Sequence, residues 1–187
     1  MKNFAQATLL LLSFTFIGNA TAGVLVEPVL GYQMSTKLDL DGPGGEYSGG
    51  KGPAFGGRLG YQNLGFQLGL DYLHSSADMD DNDFDGDFIT DEWAAFVGFE
   101  FPVMFRVYAG YIFSATGEVE LNGGQDLEFS KGTGTKLGVG FTGLPFIDIN
   151  VEYKTGEFTE AEFGPISGDA DTKYSSLMVG ISAPFNL

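Results

Sequence analysis

The stretch Trp93–Phe113, WAAFVGFEFPVMFRVYAGYIF, limits the folds available to this chain more than any other segment. It is long enough to cross a bilayer, but Glu100, Pro102 and Arg106 lie inside it, which does not suit a membrane helix. Read at a period of two, apolar and aromatic residues occupy one face on both sides of Pro102, while the charged residues lie on the other face. The pattern predicts two amphipathic strands with lipid outside and a small polar interior.

The same alternation continues along the chain and predicts eight strands. Three short turns, near Asn63, Pro102 and Leu144, alternate with four polar connections; strand three, for example, is expected over 64–76 with an Asp-rich loop after it. Each strand suits a tilted crossing of about nine to eleven residues, and aromatic residues concentrate near both strand ends. The sequence therefore predicts an all-β, eight-stranded antiparallel up-and-down transmembrane barrel with short periplasmic turns, four long outer loops and no helix in the mature chain.

Residues 1–22 have the features of a secretory signal peptide. Lys2 gives a positive start, Leu9–Ile17 an apolar core, and Ala20-Thr21-Ala22 a small-x-small cleavage site. The apolar core is too short to span hydrocarbon, which argues against a permanent anchor. We therefore expect cleavage of 1–22 and one barrel domain over 23–187.

The composition excludes several classes of function. The chain contains no cysteine, which removes disulfides, thiolate catalysis and Cys-ligated metals. Its formal net charge is −16 with only 9 Lys and Arg, and binding of a nucleic acid needs clustered basic residues. We expect no nucleic-acid partner and an acidic surface that attracts cations.

Over residues 23–187 the chain resembles the small eight-stranded outer-membrane barrels of Gram-negative bacteria, the OmpA-like and OmpX-like group. The most motif-like part is the C-terminal strand, where Gly180, Ala183 and Phe185 look like the insertion signal that those proteins present to the assembly machinery, although Pro184 interrupts the strand. The resemblance implies the cell outer membrane as location, with membrane lipid, lipopolysaccharide and, during insertion, the assembly machinery as partners. We expect a monomer.

An eight-stranded barrel encloses only enough space for side chains, so we expect a filled polar lumen and no pore. The turn positions place Glu100 opposite Arg106 and Lys136 opposite Glu152, each pair directly across a hairpin. A gated ion path and a neutralising network both fit this pattern, and the need to pair buried charges favours the network. The lumen ion pairs are expected among Glu27, Arg58, Asp71, Glu100, Arg106, Lys136 and Glu152.

One candidate for catalysis lies at the end of strand three. Alternation places His74 and Ser76 on the lipid-facing side, where a serine activated by histidine could reach an acyl ester. The pair faintly resembles the His-x-Ser of outer-membrane lipid A deacylases, but those barrels carry the motif on a later strand, followed by Asn, and here Ala77 follows. A lone interfacial His is usually only an amphipathic side chain. We therefore assign no catalytic residue and keep a deacylase-like hydrolase as the alternative.

The predicted outer loops leave two non-enzymatic roles open, a structural barrel and a surface-interaction protein. Exposed aromatic side chains anchor many interfaces, and single aromatic residues are scattered along these loops. The candidate anchors are Tyr47, Phe84, Phe129, Phe158 and Phe163.

The segment between strands three and four matches the spacing of a twelve-residue calcium loop, D-x-D-x-D-G-x₅-E. Alternate carboxylates can converge on one cation, and Gly86 permits the sharp bend that such a loop needs. The alternative is an acidic loop that associates loosely with divalent cations of the lipopolysaccharide layer. Calcium is the one cofactor that we consider, and its candidate ligands are Asp81, Asp83, Asp85, Asp87 and Glu92.

Overall fold

The computed structural model describes residues 22–40, 45–81, 84–121, 126–164 and 166–187, so the predicted signal peptide lies almost entirely outside the described residues. No helix in these ranges is long and apolar enough to cross a membrane. The strands are β1 (Gly23–Leu40), β2 (Gly45–Asn63), β3 (Phe66–Asp81), β4 (Phe84–Phe101), β5 (Phe105–Leu121), β6 (Asp126–Phe141), β7 (Asp148–Phe163), β8 (Ile166–Ser182) and the short β9 (Phe185–Asn186).

Consecutive strands pair antiparallel, and β1 closes the sheet into a barrel. Leu30 of β1 lies opposite Phe55 of β2 on one side and opposite Ile181 of β8 on the other. Beyond Pro184, β9 takes up the ladder again, with Phe185 opposite Val26 of β1. The predicted eight-stranded antiparallel up-and-down barrel is therefore confirmed.

The outer face of the barrel carries a continuous apolar belt. Trp93, Val97, Phe105, Leu137 and Ile181 are examples of its exposed side chains, and each is followed along its strand by an inward-facing residue. A bilayer-spanning barrel presents this kind of surface, with apolar side chains outside and polar ones inside.

The strands are longer than the sequence predicts. The prediction of four long outer loops is wrong for most of the residues assigned to these loops, because they lie in strands. β3 continues past residue 76 to Asp81, and β4 begins at Phe84. Alternation continues there with reversed polarity: Ala77 and Met79 are buried inside the barrel, and Asp78 is exposed outside. A polar-looking segment can therefore be a strand, because pairing with its neighbour satisfies its backbone hydrogen bonds.

These additional strand segments form an outer extension of the barrel beyond the belt. On β4 the belt covers Trp93–Phe101, while Phe84–Glu92 lie beyond it. At about 3.3 Å per residue and a tilt of about 40°, this length lifts the end of the hairpin by roughly 20 Å. The outer extension comprises residues 35–40, 45–53, 73–81, 84–92, 114–121, 126–135, 155–163 and 166–175.

The interior of the outer extension is filled by an aromatic plug. Phe158 is fully buried at its centre, stacked on Tyr174 with 4.9 Å between ring centroids and 5.5 Å from the Phe129 ring. The predicted role of Phe129 and Phe158 as exposed anchors is therefore wrong, whereas the side chains of Tyr47, Phe84 and Phe163 lie outside the described residues. The aromatic plug consists of Leu38, Met79, Phe88, Ala115, Val119, Phe129, Phe158 and Tyr174 of the outer extension, with Ala94 and Ile112 at the adjoining level of the belt.

Candidate functional site

Two arginines share one buried carboxylate at the centre of the lumen. Glu27 accepts hydrogen bonds from Arg106 Nη1 and Nη2, at 2.9 and 2.7 Å, and from Arg58 Nη1 at 3.3 Å. All three side chains are almost completely shielded from solvent. Charges removed from water in this way are tolerated only when they are paired, and Glu27 is a partner that both arginines share.

Arg58 links this centre to a second group of charges. Its Nε donates to Asp71 at 2.7 Å, its Nη2 donates to Glu152 at 3.1 Å, and its guanidinium lies 4.2 Å from the centroid of the Tyr108 ring. Lys136 Nζ lies 2.6 Å from Asp71 Oδ2. Positive and negative groups thus alternate through the lumen, which lowers the cost of burying each of them.

The hairpin pair Glu100 and Arg106 lies in the expected register, yet the two side chains have other partners. They are opposite each other on β4 and β5. Arg106 is directed to Glu27, and Glu100 accepts a hydrogen bond from Gln62 at 3.1 Å. A long arginine side chain can reach the more deeply buried carboxylate, and hairpin register alone does not determine that choice.

The register predicted for Lys136 and Glu152 is wrong. Lys136 lies opposite Lys154, because Phe141 pairs with Ile149 and the hairpin is centred on Pro145, one residue later than the predicted centre. Lys136 Nζ still lies 3.7 Å from Glu152 Oε2, along the diagonal. A shift of one residue in the turn moves every cross-strand partner by two positions.

A further ion pair lies next to the aromatic plug, and the sequence pattern does not predict it. Lys154 Nζ donates to Glu92 Oε2 at 2.8 Å, and both side chains are buried. Tyr174 of the plug lies one inward position above Ser176, which is opposite Lys154. Paired charges below and stacked aromatic rings above leave the lumen filled along this part of its length.

The predicted calcium ligands are not brought together in the part of the chain that the structure describes. Glu92 lies in the lumen against Lys154, and Asp87 is five positions away on the exposed face of β4. About 16 Å of extended strand separates them, too far for one cation. Glu92 is therefore corrected to a lumen residue; Asp83 and the side chains of Asp81 and Asp85 lie outside the described residues. Among described residues, no three His, Asp or Glu side chains form a group suited to a metal ion.

His74 lies just outside the belt and contacts an acid on the neighbouring strand. His74 Nδ1 is 3.0 Å from Asp91 Oδ1, which also accepts a hydrogen bond from Tyr72 at 2.5 Å. Partial burial raises the pKa of Asp91, but these two hydrogen bonds outweigh it and hold the pKa below its usual value. No hydrogen bond joins Ser76 to His74 in the described structure. Asp91 could not be identified as a partner of His74 from the sequence, because the two residues meet only through the β3–β4 register.

The outward face of the outer extension is acidic. Lys131 pairs with Glu160 there, and Lys173 lies opposite Glu157. A surface depression of about 390 Å³ crosses β4 to β7 and includes Asp91, Glu118, Glu128 and Glu162 in its lining. Among the side chains that the structure describes, the outward acidic residues are Asp39, Asp78, Asp87, Asp91, Glu118, Glu128, Glu157, Glu160, Glu162, Asp169 and Asp171, against Lys37, Lys51, Lys131 and Lys173.

Comparison with known proteins identifies the architecture. No protein-family model matches the sequence, and no curated protein matches it significantly. Neisserial surface protein A, NspA, is 16% identical with a TM-score of 0.62, over 88% of this chain and 99% of NspA. The fold is that of the small outer-membrane barrels.

Ail, the attachment invasion locus protein of Yersinia pestis, has the same small-barrel fold. It is 15% identical with a TM-score of 0.55, over 88% of this chain and all of Ail (100%). A second Ail structure, in complex with the heparin analogue sucrose octasulfate, gives a TM-score of 0.56 at 14% identity. These comparisons confirm the resemblance to small eight-stranded outer-membrane barrels that the strand pattern indicates.

Proposed function

We propose that this chain is a non-enzymatic outer-membrane barrel that displays a rigid acidic surface to a cationic partner outside the cell. It is exported with residues 1–22 as a cleaved signal peptide, inserted by the outer-membrane assembly machinery, and embedded as a monomer in lipid and lipopolysaccharide. The observation that carries the proposal is the outer extension, a length of barrel that membrane crossing does not require.

The construction of the outer extension supports display rather than a purely structural role. Its polarity is that of a water-soluble barrel, with Phe158 and its aromatic neighbours packed inside and charged side chains outside. A packed interior gives the surface a fixed shape, which lowers the entropy cost of binding a partner. A barrel that only stabilised the membrane could end at the outer edge of its apolar belt.

The charge of the outer extension supports a cationic partner. Its outward carboxylates outnumber its outward lysines, and four of them line the depression across β4 to β7. Opposite charge accelerates encounter and selects against like-charged molecules. Ail was crystallised with a polyanion, sucrose octasulfate; the acidic surface of this chain favours the opposite class of ligand.

Binding of charged probes to the barrel in lipid nanodiscs tests the proposal. We expect saturable binding of a lysine- and arginine-rich peptide, weaker at high salt, and no binding of heparin. The double variant Glu128→Gln, Glu162→Gln, in the depression, should weaken peptide binding more than Asp39→Asn, Asp171→Asn, which removes the same charge elsewhere.

Two results would contradict this function. Binding of heparin in preference to the peptide would exclude a cationic partner. Equal losses in the two double variants would mean that the peptide responds only to net charge, so that the outer extension presents no defined surface.

A lipid A hydrolase remains the second candidate, and the position of Asp91 favours it. An acid that contacts Nδ1 of a histidine can orient the ring as a general base. Against it, His74 and Ser76 are two positions apart on one strand, about 6.6 Å along the backbone, without a mutual hydrogen bond. Mass spectrometry of lipid A from cells with wild type or Ser76→Ala decides the question: loss of an acyl chain that depends on Ser76 would establish the hydrolase.

Calcium binding by the Asp-rich β3–β4 connection also remains a prediction, without Glu92 as a ligand. The remaining candidates are Asp81, Asp83, Asp85 and Asp87. Extracellular calcium sites bind at about 10⁻⁴ to 10⁻³ M, so calorimetric titration needs millimolar calcium. A saturable event that Asp83→Ala abolishes and Glu92→Gln preserves would support such a site.

A further inference from the structure

The three short turns at the end of the barrel opposite the outer extension carry exposed apolar side chains at their tips. Solvent-facing turns usually use Gly, Asn, Asp or Ser, because these residues accept turn backbone conformations and remain hydrated. Here the exposed fractions are 72% for Leu64, 66% for Val103, 45% for Leu144 and 84% for Phe146. We define the turn collar as Leu64, Val103, Met104, Leu144 and Phe146.

Three residues of the turn collar also adopt a backbone conformation that apolar residues rarely use. The φ angles of Leu64, Met104 and Phe146 are 51°, 65° and 69°. Glycine or asparagine would occupy this left-handed region at lower cost. Apolar side chains at strained, exposed positions need a compensating environment, and hydrocarbon provides one.

Part of the turn backbone is hydrogen-bonded within the protein. Glu100 N–H, at the end of β4, donates to Gly65 O of the first turn, and Thr142 N–H of the third turn donates to Met104 O of the second, both at 2.8 Å. Pro102 and Pro145 each remove one N–H from a turn. Each backbone group that is satisfied or removed in this way lowers the cost of placing an irregular turn near hydrocarbon.

The turn collar is continuous with the surface that faces lipid. Phe99, Phe101, Phe105 and Ile147 of the apolar belt directly adjoin the turns, and the rings of Phe99 and Phe101 lie 4.8 Å apart. The nearest charged side chains, Glu100, Arg106 and Asp148, have their partners on the lumen side. Among the described residues, no charged side chain therefore separates the three turn tips from the belt.

We propose that the turn collar is embedded in the phospholipid leaflet that faces the periplasm, so that the barrel is anchored at this end by its turns. The proposal rests on the proposed outer-membrane location. The two ends of the barrel then lie in different environments: the outer extension is in water, and the turns are in the membrane.

Single cysteine variants test the turn collar directly, because the chain contains no native cysteine. Val103→Cys and Leu144→Cys place a fluorescent label on two turn tips whose φ is not left-handed. Val97→Cys, in the belt, is the lipid control, and Glu128→Cys, on the outer extension, is the water control. Each labelled barrel is reconstituted in phosphatidylcholine vesicles, with iodide on both sides or with doxyl-labelled phosphatidylcholine in the bilayer.

The expected result is that doxyl lipid quenches both turn-tip labels and that iodide quenches them several-fold less than the Glu128→Cys label. If iodide quenches the turn tips as strongly as Glu128→Cys while Val97→Cys still responds to lipid, the collar lies in water and the proposal is wrong, although the barrel spans the bilayer. If Val97→Cys also responds to iodide and not to lipid, the proposed membrane location itself fails. The vesicles contain no second protein, so a partner protein that covers the turns cannot produce the expected result.

Discussion

Removal of the Glu27 carboxylate should destabilise the barrel more than any other single charge removal in the lumen. In Glu27→Ala both arginines lose an ion-pair partner at once. Arg58 retains Asp71 and Glu152, but among the described residues Arg106 retains only Asp148, at 3.5 Å, as an anionic contact. Arg106 therefore becomes the poorly compensated charge in a dry interior.

The magnitude follows from the burial of this group. Removing one partner of a buried ion pair costs about 3 to 5 kcal/mol of stability, because the remaining buried charge is no longer compensated. Asn150 accepts a hydrogen bond from Arg106 at 2.8 Å, so Arg106 keeps part of its hydrogen bonding. We therefore expect a loss of stability of about 3 to 4 kcal/mol. The double variant Glu27→Gln, Arg106→Met removes both charges and should cost less than Glu27→Ala.

Urea unfolding of the barrel refolded in detergent or vesicles measures this difference. With an m-value of about 2 kcal/mol per M, the loss lowers the midpoint by roughly 1.5 to 2 M. Glu128→Ala, which removes an exposed carboxylate, is the matched control and should stay within about 0.5 kcal/mol of wild type. A midpoint for Glu27→Ala equal to that of Glu128→Ala would mean that the lumen is hydrated and would refute the account of a dry network.

Three further predictions concern packing and permeability. Phe158→Ala empties the centre of the aromatic plug and should cost about 3 to 5 kcal/mol, whereas Phe113→Ala, on the lipid-facing side, should cost less in urea unfolding. Gly138→Ala should lower the midpoint because a Cβ would lie 2.1 Å from the Tyr108 ring; Gly168→Ala, where no heavy atom lies within 4 Å, should leave it unchanged. The wild-type barrel should show no steady conductance in planar bilayers, and a stable open channel would contradict the filled lumen.

β3 is a strand whose first half follows from the sequence pattern and whose second half does not. The alternation of Phe66, Leu68 and Leu70 with inward residues identifies this strand, because water-avoiding side chains must face lipid. Beyond Tyr72 the inward positions become apolar and the outward positions polar, so the same period looks like a hydrophilic loop. Ala77 and Met79 carried the signal that the strand continues, but a pattern of alternate small and apolar residues among acids is easily interpreted as a loop.

In the lumen, alternation predicts which charged residues face inward but not which of them pair. The identity of the inward charged residues followed from alternation, and Glu27, Arg58, Asp71, Arg106 and Lys136 are indeed buried. Their partners did not follow, because long side chains cross the lumen between strands that are distant in sequence. Arg106 reaches Glu27, 79 residues away, in preference to the acid opposite it on the hairpin.

The sequence by itself determined the strand count, the two faces of each strand and the apolar belt, because these depend on a period of two and on the contrast between lipid and water. Only the tertiary structure decided how far the strands continue, which charges pair, and that Asp91 lies beside His74. Closure of the barrel fixes the register of every strand at once and brings distant residues to one point. Those contacts are therefore properties of the closed sheet and of no local stretch of the chain.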